Sequence, residues 1–249
     1  WMFRSSFMQV KQIYRIPTEW IPKPFTIENY VQAFTVTPFL RYAVNTLIIV
    51  FANMIGILLT SSISAFGFSR LNWKGRNLIF SIILSSMMLP GAVTLIPQFI
   101  GWNALGFFNT YVPLILPAYL GGGAFNIFLF KQFFMTLPAE IDEAALVDGA
   151  SYFRIYWSII LPLSKSVLIV VAIFTFMGLW NDFFNPLIYL LDQDKFTLAI
   201  GLQFLRGQYT SAWHVIMAAS TIIVIPCIFV FLFGQKFILE GVVMSGLKG

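Results

Sequence analysis

The fold is decided by one uncharged stretch, residues 77–130, which reads NLIFSIILSSMMLPGAVTLIPQFIGWNALGFFNTYVPLILPAYLGGGAFNIFLF and contains no Asp, Glu, Lys or Arg. A helix over the whole stretch would be roughly 80 Å long at about 1.5 Å per residue, whereas the hydrocarbon core of a bilayer is only about 30 Å thick. Two membrane spans joined by a turn therefore fit the stretch better than one. We place the turn at residues 101–110, where glycine and asparagine cluster.

Three further apolar stretches flank this one, at residues 42–69, at about 166–190 and at 207–235. Each is long enough for one transmembrane helix, so five helices are predicted. The composition agrees, because 59% of the 249 residues are hydrophobic and only 10% are charged, against about 25% charged in a soluble domain. The chain is therefore predicted to be an all-α polytopic membrane protein, and a soluble enzyme, a disordered segment and a secreted disulfide scaffold are excluded.

The charges carry information about topology. The net charge of +5 is explained by basic residues at the ends of spans, so it gives no reason to expect a nucleic-acid partner. With five spans, segments 70–77, 131–165 and 236–249 share one side, and their Lys and Arg content favours the cytoplasm. The chain begins at Trp1 rather than Met, so we expect it to be cut from a longer protein. One cysteine, Cys227, allows no internal disulfide.

Proline and glycine interrupt the predicted spans, most densely at Pro90-Gly91 and at Gly121-Gly122-Gly123. Broken backbone in a membrane is tolerated only where protein or a water-filled cavity satisfies the freed polar groups. Such breaks are typical of transporter substrate pathways, but they also occur as packing kinks, and the sequence leaves both interpretations open. Pro90, Gly91 and Gly122 are therefore candidates for the translocation pathway or its gate.

Two polar residues of the fourth span, Asn181 and Asp182, are further pathway candidates. Asp182 is the only ionisable residue between 166 and 190, and a charge at the bilayer centre costs roughly 2.5–3.5 kcal/mol. Counting from Lys165 places it about 25 Å along a helix, toward the outer boundary. It is either an interfacial acid that is hydrogen-bonded within the bundle, or a contact at an outer gate or with substrate.

One face of the first span carries small and polar residues at helical spacing. Because small residues let helix backbones approach closely, this face predicts a helix–helix seam, with pore lining as the alternative. The residues are Asn53, Gly56, Thr60, Ser64 and Gly67.

The segment 136–165, TLPAEIDEAALVDGASYFRIYWSIILPLSK, differs from the rest of the chain because it is acidic. We expect Thr136 to cap a short helix with Pro138 in its first turn, Gly149 to end it, and Ser151 to cap a second helix. A short acidic helix with small residues on one face suits docking into a groove of a soluble partner. The acidic residues are Glu140, Asp142, Glu143 and Asp148.

The order Glu143-Ala144-Ala145, Gly149, Ile159-x-Leu161-Pro162 resembles the EAA loop of ABC importer permeases, with every anchor at the family spacing. The wider sequence resembles the carbohydrate-type permeases, in the group similar to the smaller permease of maltose transporters. A lone E-A-A would carry no weight, whereas the full spaced motif is specific. The supporting motifs include Asp148-Gly149-Ala150-Ser151, Trp180-Asn181 with Pro186-Leu187, and the tail from Glu240-Gly241 to Gly246-Leu247-Lys248-Gly249.

The resemblance implies a six-helix ABC importer transmembrane fold, with five helices visible here and the first largely missing. It divides the chain into an extracytoplasmic segment, 1–41, and a transmembrane domain, 42–249, with a cytoplasmic coupling loop at 136–163. In such permeases this loop seats in a cleft of the ATP-binding subunit, where Glu143 would hold a basic residue and Gly149 would allow the turn. The implied coupling residues are Glu143, Ala144, Ala145, Asp148, Gly149, Ile159, Leu161 and Pro162.

The resemblance also implies the partners, which are a second homologous permease in a heterodimer, two ATP-binding subunits, and an extracellular or periplasmic solute-binding protein. The chain has no G-x-x-x-x-G-K-[ST] pattern, so ATP and Mg would be bound by the ATPase and no cofactor by this chain. The implied location is the cytoplasmic membrane of a bacterium or archaeon, with the C-terminus in the cytoplasm. The expected function is import of a carbohydrate, in particular an oligosaccharide, with this chain forming half of the pathway.

Two other functions have less support from the sequence. A self-contained secondary transporter or channel would want intramembrane acid–base pairs for ion coupling, and Asp182 is the only candidate. An intramembrane enzyme would need a catalytic centre, but the chain has one histidine, His214, and neither H-E-x-x-H nor G-x-S-x-G. A lone histidine without acidic or cysteine neighbours also makes a poor metal site, so none is predicted.

Overall fold

The structure is a computed structural model and describes residues 1–17, 20–208 and 212–246. The end of the predicted C-terminal tail, 247–249, lies outside the described residues. Within the described residues the regular structure is helical and contains no strand, as predicted. The α-helices are α1 (Met2–Ser5), α2 (Val10–Ile13), α3 (Glu28–Val36), α4 (Phe39–Ser69), α5 (Arg76–Ser85), α6 (Gly91–Ala104), α7 (Val112–Tyr119), α8 (Ala124–Phe134), α9 (Glu140–Val147), α10 (Tyr152–Ile155), α11 (Leu161–Leu163), α12 (Lys165–Trp180), α13 (Phe184–Tyr189), α14 (Leu198–Gln208) and α15 (Trp213–Gly246). Two 3-10 segments, Ser86–Met88 and Gln193–Lys195, and one π segment, Tyr156–Ile160, complete the set.

Five stretches of the described chain have the length and composition of membrane spans. Three of them are single stretches long and apolar enough to cross a membrane, namely Phe39–Ser69, Val112–Phe134 and Trp213–Phe237. Each of the other two is a pair of helices with a sharp bend, of 99° between Arg76–Met88 and Gly91–Ala104 and of 76° between Tyr152–Leu163 and Lys165–Trp180. The prediction of an all-α polytopic membrane protein is confirmed, with three single helices and up to two bent helix pairs as candidate spans.

The turn between the second and third spans begins later than predicted. Helix α6 continues through Gly101 to Ala104, and Leu105 still donates its N–H to the Gly101 carbonyl at 3.1 Å. Gly106 ends the helix, because its φ of +74° lies in the left-handed region that glycine adopts at helix C-termini. Gly101 and Asn103 therefore belong to the helix and the loop spans 105–111.

The sequence predicts one helix at about 166–190 for the fourth span, but the structure divides this stretch into two helices. Helix α12 ends at Trp180 and the short helix α13 begins at Phe184. Pro186 gives a physical reason for the break, because a proline lacks the N–H needed inside a helix but is tolerated in a first turn. The break puts Pro186 at the third residue of α13, where its missing N–H has no intrahelical partner to lose.

The described residues divide into two compact units. The first unit is drawn from Trp1–Val50, Asn109–Tyr111 and Met177–Phe233. In it the Asn45 side-chain amide donates to the carbonyls of Asp194 and Phe196 at 2.8 and 2.9 Å, which joins the start of α4 to the chain before α14.

A cluster of hydrogen bonds around Asn109 also belongs to the first unit. Asn109 has a φ of +59°, and its Oδ1 accepts from the backbone N–H groups of Leu191 and Asp192 at 3.0 and 3.2 Å. Its Nδ2 donates to the Asp192 carboxylate at 2.8 Å, and Lys195 Nζ donates to the same carboxylate at 2.8 Å and to the Asn109 carbonyl at 2.9 Å. The loop after α6 is thereby tied to the loop after α13.

The second unit is drawn from Phe51–Phe108, Val112–Phe176 and Gly234–Gly249. Its core is a cluster of buried aromatic and aliphatic side chains contributed by α4, α5, α8 and the segment from α9 to α12. Phe130, Phe134, Ile155, Ile160 and Val171 are fully buried in this cluster. The acidic segment 136–165 is therefore anchored on the bundle by its own apolar residues.

The small and polar face of the first span packs against another helix of the same unit. Asn53 donates to the Leu114 carbonyl at 3.0 Å, and Thr60 donates to the Ala118 carbonyl at 2.9 Å. A Cβ at Gly56 would lie 2.8 Å from the ring of Tyr119. The predicted helix–helix seam is therefore present at Asn53, Gly56 and Thr60, and its partner is the proline-containing α7, whose carbonyls accept from side chains of α4. At Gly67 the Cβ position has open space instead.

Candidate functional site

The acidic segment begins with helix α9, whose first turn holds Glu140, Asp142 and Glu143. Acidic side chains stabilise the positive end of a helix dipole, which explains why a helix as short as eight residues starts there. The predicted cap is wrong, because the Thr136 hydroxyl donates to the Phe133 carbonyl at 2.7 Å and Pro138 precedes the helix. Thr136 thus belongs to the end of α8 rather than to the start of α9.

Gly149 forms the turn that ends α9. Its φ is +80°, its N–H donates to the Leu146 carbonyl at 3.0 Å, and the next N–H, of Ala150, donates to the Ala145 carbonyl at 2.9 Å. These bonds satisfy carbonyls that a helix C-terminus leaves without partners, and the left-handed φ favours glycine. The turn predicted from the sequence is therefore present, and it is held by backbone hydrogen bonds.

The second half of the segment is a helical stretch with a change of pitch. Ser151 caps it as predicted, because its Oγ accepts from the Arg154 N–H at 3.3 Å. The stretch runs through α10, the π segment Tyr156–Ile160 and α11 before the 76° bend into α12. Ile159 and Leu161 pack against the buried core of the second unit, whereas Pro162 is exposed.

The coupling residues inferred from the motif fall into two groups by exposure. Ala145 is buried at 9% exposure and belongs to the core, which Ile159 and Leu161 also contact. The exposed group consists of Glu143, Ala144, Asp148, Gly149 and Pro162. The segment is therefore fixed from the inside and presents a separate face to a partner.

Large apolar side chains lie beside this exposed face. Val147 is 88% exposed, and Phe153 and Trp157 stack with ring centroids 6.4 Å apart and are 73% and 50% exposed. An exposed apolar patch rimmed by polar groups is characteristic of a surface that contacts protein or membrane. The side chains that a partner would meet are thus the exposed carboxylates Glu143 and Asp148, with apolar and small neighbours.

One ion pair of this site was not predicted from the sequence. Arg70 Nη1 lies 3.1 Å from Asp142 Oδ2, with side-chain exposures of only 8% and 14%. Arg70 Nη2 also donates to the carbonyls of Phe134 and Leu137 at 2.8 and 3.0 Å. Burial raises the pKa of the Asp142 carboxyl above its ordinary value, since the loss of hydration outweighs the opposing attraction of Arg70. The sequence signal for the pair is that both residues lie in segments predicted to share one side of the membrane, 70–77 and 131–165.

The pathway candidates Pro90 and Gly91 lie at the 99° break of the second span. Pro90 precedes the first residue of α6, which is Gly91, and the 3-10 segment Ser86–Met88 closes the preceding helix. The whole stretch 85–93 is exposed in this chain, including Met88 at 83%. The interruption predicted from the sequence is present, and its role in a pathway stays a prediction.

Gly122 has a packing reason to be glycine. Its φ is +70°, and a Cβ built on it would lie 2.8 Å from the Ser61 Cβ and 2.9 Å from the Ile57 carbonyl oxygen. The glycine turn between α7 and α8 therefore fits against α4 without room for a side chain. This contact explains the residue without a pathway role.

Asn181 and Asp182 lie in the break between α12 and α13 rather than inside a helix. Asn181 Nδ2 donates to the Met177 carbonyl at 2.8 Å. The Asp182 carboxylate accepts from the Asn185 N–H at 3.2 Å and from its side-chain amide at 2.8 Å. The geometry agrees with the interpretation of Asp182 as a hydrogen-bonded acid, and its role as a gate or substrate contact stays a prediction.

Comparison with known proteins assigns the chain to a family. Residues 52–243 match the family described as the binding-protein-dependent transport system inner membrane component. The chain belongs to this family, and it is a transport permease subunit rather than an enzyme. The resemblance to ABC importer permeases found in the sequence is confirmed.

Individual proteins that the chain resembles are also transport permeases. The chain is 31% identical over 250 residues to the inner membrane ABC transporter permease protein YcjP of Escherichia coli, covering 100% of this chain and 89% of that protein. It is 32% identical over 229 residues to the arabinooligosaccharides transport system permease protein AraQ of Halalkalibacterium halodurans, covering 92% and 81%. A chain from the crystal structure of a bacterial ABC transporter involved in the import of alginate, an acidic polysaccharide, superposes with a TM-score of 0.83 at 22% identity, covering 94% of this chain and 88% of that chain. That likeness establishes the shared fold.

Proposed function

We propose that the chain is one of two permease subunits of an oligosaccharide importer, and that segment 136–163 couples it to an ATP-binding subunit. The observation that carries the proposal is the exposed face of α9 and its turn. Glu143 and Ala144 point outward on a helix whose opposite side, at Ala145, is buried in the core. A short helix that exposes the Glu143 carboxylate beside a small residue suits a groove with a basic residue on the partner.

The partner set follows from the family and remains part of the proposal. A binding-protein-dependent system needs a solute-binding protein, and the absence of a phosphate-binding motif from this sequence leaves ATP and Mg to separate subunits. We propose a second, homologous permease and two ATP-binding subunits. The coupling segment and the C-terminus would face the cytoplasm, and residues 1–41 would face outward.

The cargo class rests on the relatives. One similar permease is named for arabinooligosaccharides, and a similar fold serves a transporter of alginate. Both cargoes are chains of sugars, so we propose an oligosaccharide for this importer. The helix breaks at Pro90-Gly91 and at Asn181 and Asp182 would line the pathway, because irregular backbone in a membrane occurs where it meets protein or water.

Co-purification from the native membrane in mild detergent tests the coupling role. We expect an ATP-binding subunit and a second permease to accompany the wild type. In Glu143→Lys the ATP-binding subunit should be lost while the second permease remains, because the variant puts a positive charge where a basic partner residue is expected. Glu140→Lys is the matched control, since it makes the same charge change at an exposed position of the same helix.

The outcomes separate the alternatives. Retention of the ATP-binding subunit by Glu143→Lys would remove the coupling assignment from this segment. A wild type that never carries an ATP-binding subunit, although the membrane subunits stay together, would favour a self-contained transporter. The cargo is tested by uptake of labelled oligosaccharides into cells with and without the chain, with monosaccharides as competitors. Competition by monosaccharides but not by oligosaccharides would contradict the cargo class.

A further inference from the structure

Arg70 joins three elements of the second unit with one guanidinium. It follows the last residue of α4 and donates its backbone N–H to the Phe66 carbonyl at 2.9 Å. Its Nη2 donates to the carbonyls of Phe134, the last residue of α8, and of Leu137, in the linker that follows, and its Nη1 pairs with Asp142 in the first turn of α9. The end of the first span, the end of the third span and the coupling helix therefore meet at one side chain.

The ion pair lies on the inner side of the coupling helix. Asp142 is 14% exposed at its side chain, whereas its neighbours Glu143 and Ala144 are exposed. Arg70 consequently stays out of the docking face. A change at Arg70 acts on how α9 is held, and leaves the groups that a partner would touch in place.

We propose that Arg70 is a positioning residue that makes the coupling helix and the inner end of the first span move as one body. The proposal rests on the proposed function of segment 136–163. A displacement that an ATPase applies to α9 would then reach α4 without being absorbed in the linker 135–139. Without the pair, α9 could still bind its partner but would shift relative to α4.

The chemistry of the site requires a guanidinium in particular. Two separate nitrogens serve three acceptors, since Nη1 meets a carboxylate and Nη2 meets two carbonyls. A planar guanidinium presents several N–H groups in fixed directions, whereas a lysine ammonium is a point charge on a flexible stem. Arg70 Nε and Asp142 Oδ1 are buried and have no hydrogen-bond partner among the described residues, so the pair depends on the contacts it has. Lysine is therefore expected to restore the pair only in part.

The test uses the complete transporter, with its partner permease, ATP-binding subunits and binding protein, reconstituted in lipid vesicles. The variants are Arg70→Gln and Arg70→Lys, and the control is Lys74→Gln, which removes an exposed charge from the same loop. We expect Arg70→Gln to retain the ATP-binding subunit but to lower the cargo transported per ATP hydrolysed by at least about five-fold, the lower end of typical coupling between sites. Arg70→Lys should lie between Arg70→Gln and the wild type, and Lys74→Gln should match the wild type.

A distance measurement gives a readout that a general loss of activity would not change. Spin labels at Lys74→Cys and Ala139→Cys, both exposed positions, report on the end of α4 relative to the coupling helix. The one native cysteine is first removed as Cys227→Ser. The distance distribution should be narrow with Arg70 present and broader in Arg70→Gln.

An unchanged ratio of transport to hydrolysis in Arg70→Gln would overturn the proposal. If Arg70→Gln does not assemble, Arg70→Lys decides: a lowered ratio supports the proposal, and an unchanged one overturns it. Loss of the ATP-binding subunit from both variants would also overturn it, because the pair would then serve docking. Failure of the proposed function is a separate result, namely retention of the ATP-binding subunit by Glu143→Lys.

Discussion

Gly149 is required for its backbone conformation rather than for space. Its φ is +80° and a Cβ there would meet nothing within 4 Å, so a side chain is opposed only by the left-handed conformation. We expect Gly149→Ala to lower the free energy of unfolding by about 1–2 kcal/mol and Gly149→Asn to lower it by less. Thermal unfolding in detergent measures the change.

The matched control for this prediction is Gly67→Ala. Gly67 lies inside helix α4, has open space around its Cβ position and has no left-handed φ. Alanine there should raise the free energy of unfolding by about 0.5–1 kcal/mol, because glycine in a helix interior is unfavourable. Shifts of the same sign at both glycines would contradict the conformational explanation.

The hydrogen bonds of the Asp192 carboxylate predict how the stability of the fold changes in acid. Hydrogen bonds from Lys195 and from Asn109 hold the pKa of its carboxyl below the ordinary value of 3.8. A lowered folded-state pKa means that the carboxylate stabilises the fold above the ordinary pKa, and that this contribution is lost as the pH falls through the lowered pKa. Below pH 3.8 the melting temperature of the wild type should therefore fall more steeply than that of Asp192→Asn.

Two lysine variants serve as checks on the acid response. Lys195→Gln removes the main cause of the lowered pKa, so its melting curve should approach that of Asp192→Asn. Lys74→Gln removes an exposed charge that is not among the causes of the lowered pKa of Asp192, so it should keep the wild-type slope. Equal slopes in all four proteins would show that the carboxylate contributes nothing to the acid response.

Single residues differ in how much of their role the sequence reveals. Gly149 and Ser151 act within a few residues of themselves, so the turn and the cap could be predicted from local pattern alone. Arg70 and Asp142 meet only because α4 and α8 end side by side, which no local pattern encodes. The prediction of Thr136 as the cap of α9 is wrong because its hydroxyl donates to the end of the preceding helix, α8, instead.

At the scale of elements, the close packing of α4 against the turn after α7 predicts that a side chain at Gly122 destabilises the fold. A Cβ at Gly122 would meet backbone atoms of Ile57 and Ser61 at 2.9 Å, and backbone cannot rotate away as a side chain can. Gly122→Ala should therefore lower the free energy of unfolding by about 2–5 kcal/mol, from overpacking added to the left-handed φ. Thermal unfolding of the purified chain is the measurement.

The neighbouring glycine is the control for the seam. Gly121 has a φ of +115° but open space around its Cβ position, so Gly121→Ala carries only the conformational cost. The difference between the two variants reports the close approach of the turn to α4. If Gly121→Ala proved as destabilising as Gly122→Ala, the seam would not be the cause.

The spans show what charge patterns can and cannot predict. Charged residues such as Arg41 and Arg70 lie close to helix ends, so the positions of the long apolar helices could be predicted from uncharged runs. The breaks at Pro90 and after Trp180 depend instead on where a proline can be accommodated and on which helix packs nearby. The first break is indicated locally by Pro90-Gly91. The second break was not predicted, and because of it Asp182 lies between two helices rather than inside the predicted one.

At the scale of the whole molecule, the proposed topology can be tested by chemical labelling. With Cys227→Ser as background, Asp148→Cys and Gln193→Cys introduce thiols at two exposed positions of different loops. A membrane-impermeant maleimide added outside intact spheroplasts should label Gln193→Cys and leave Asp148→Cys unlabelled until the membrane is opened. The reverse pattern would invert the topology and remove the coupling segment from the cytoplasm.

The exposed break at residues 85–93 bears on how the cell produces this protein. The two helices of this bent pair meet at 99°, so the helical backbone hydrogen bonding is interrupted, and side chains such as Met88 are exposed in the single chain. Lipid tails offer no hydrogen bonds to backbone groups. A subunit made in excess of whatever covers this stretch would therefore be a target for membrane quality-control proteases, so that its abundance would be set by the supply of its partners rather than by its own rate of synthesis.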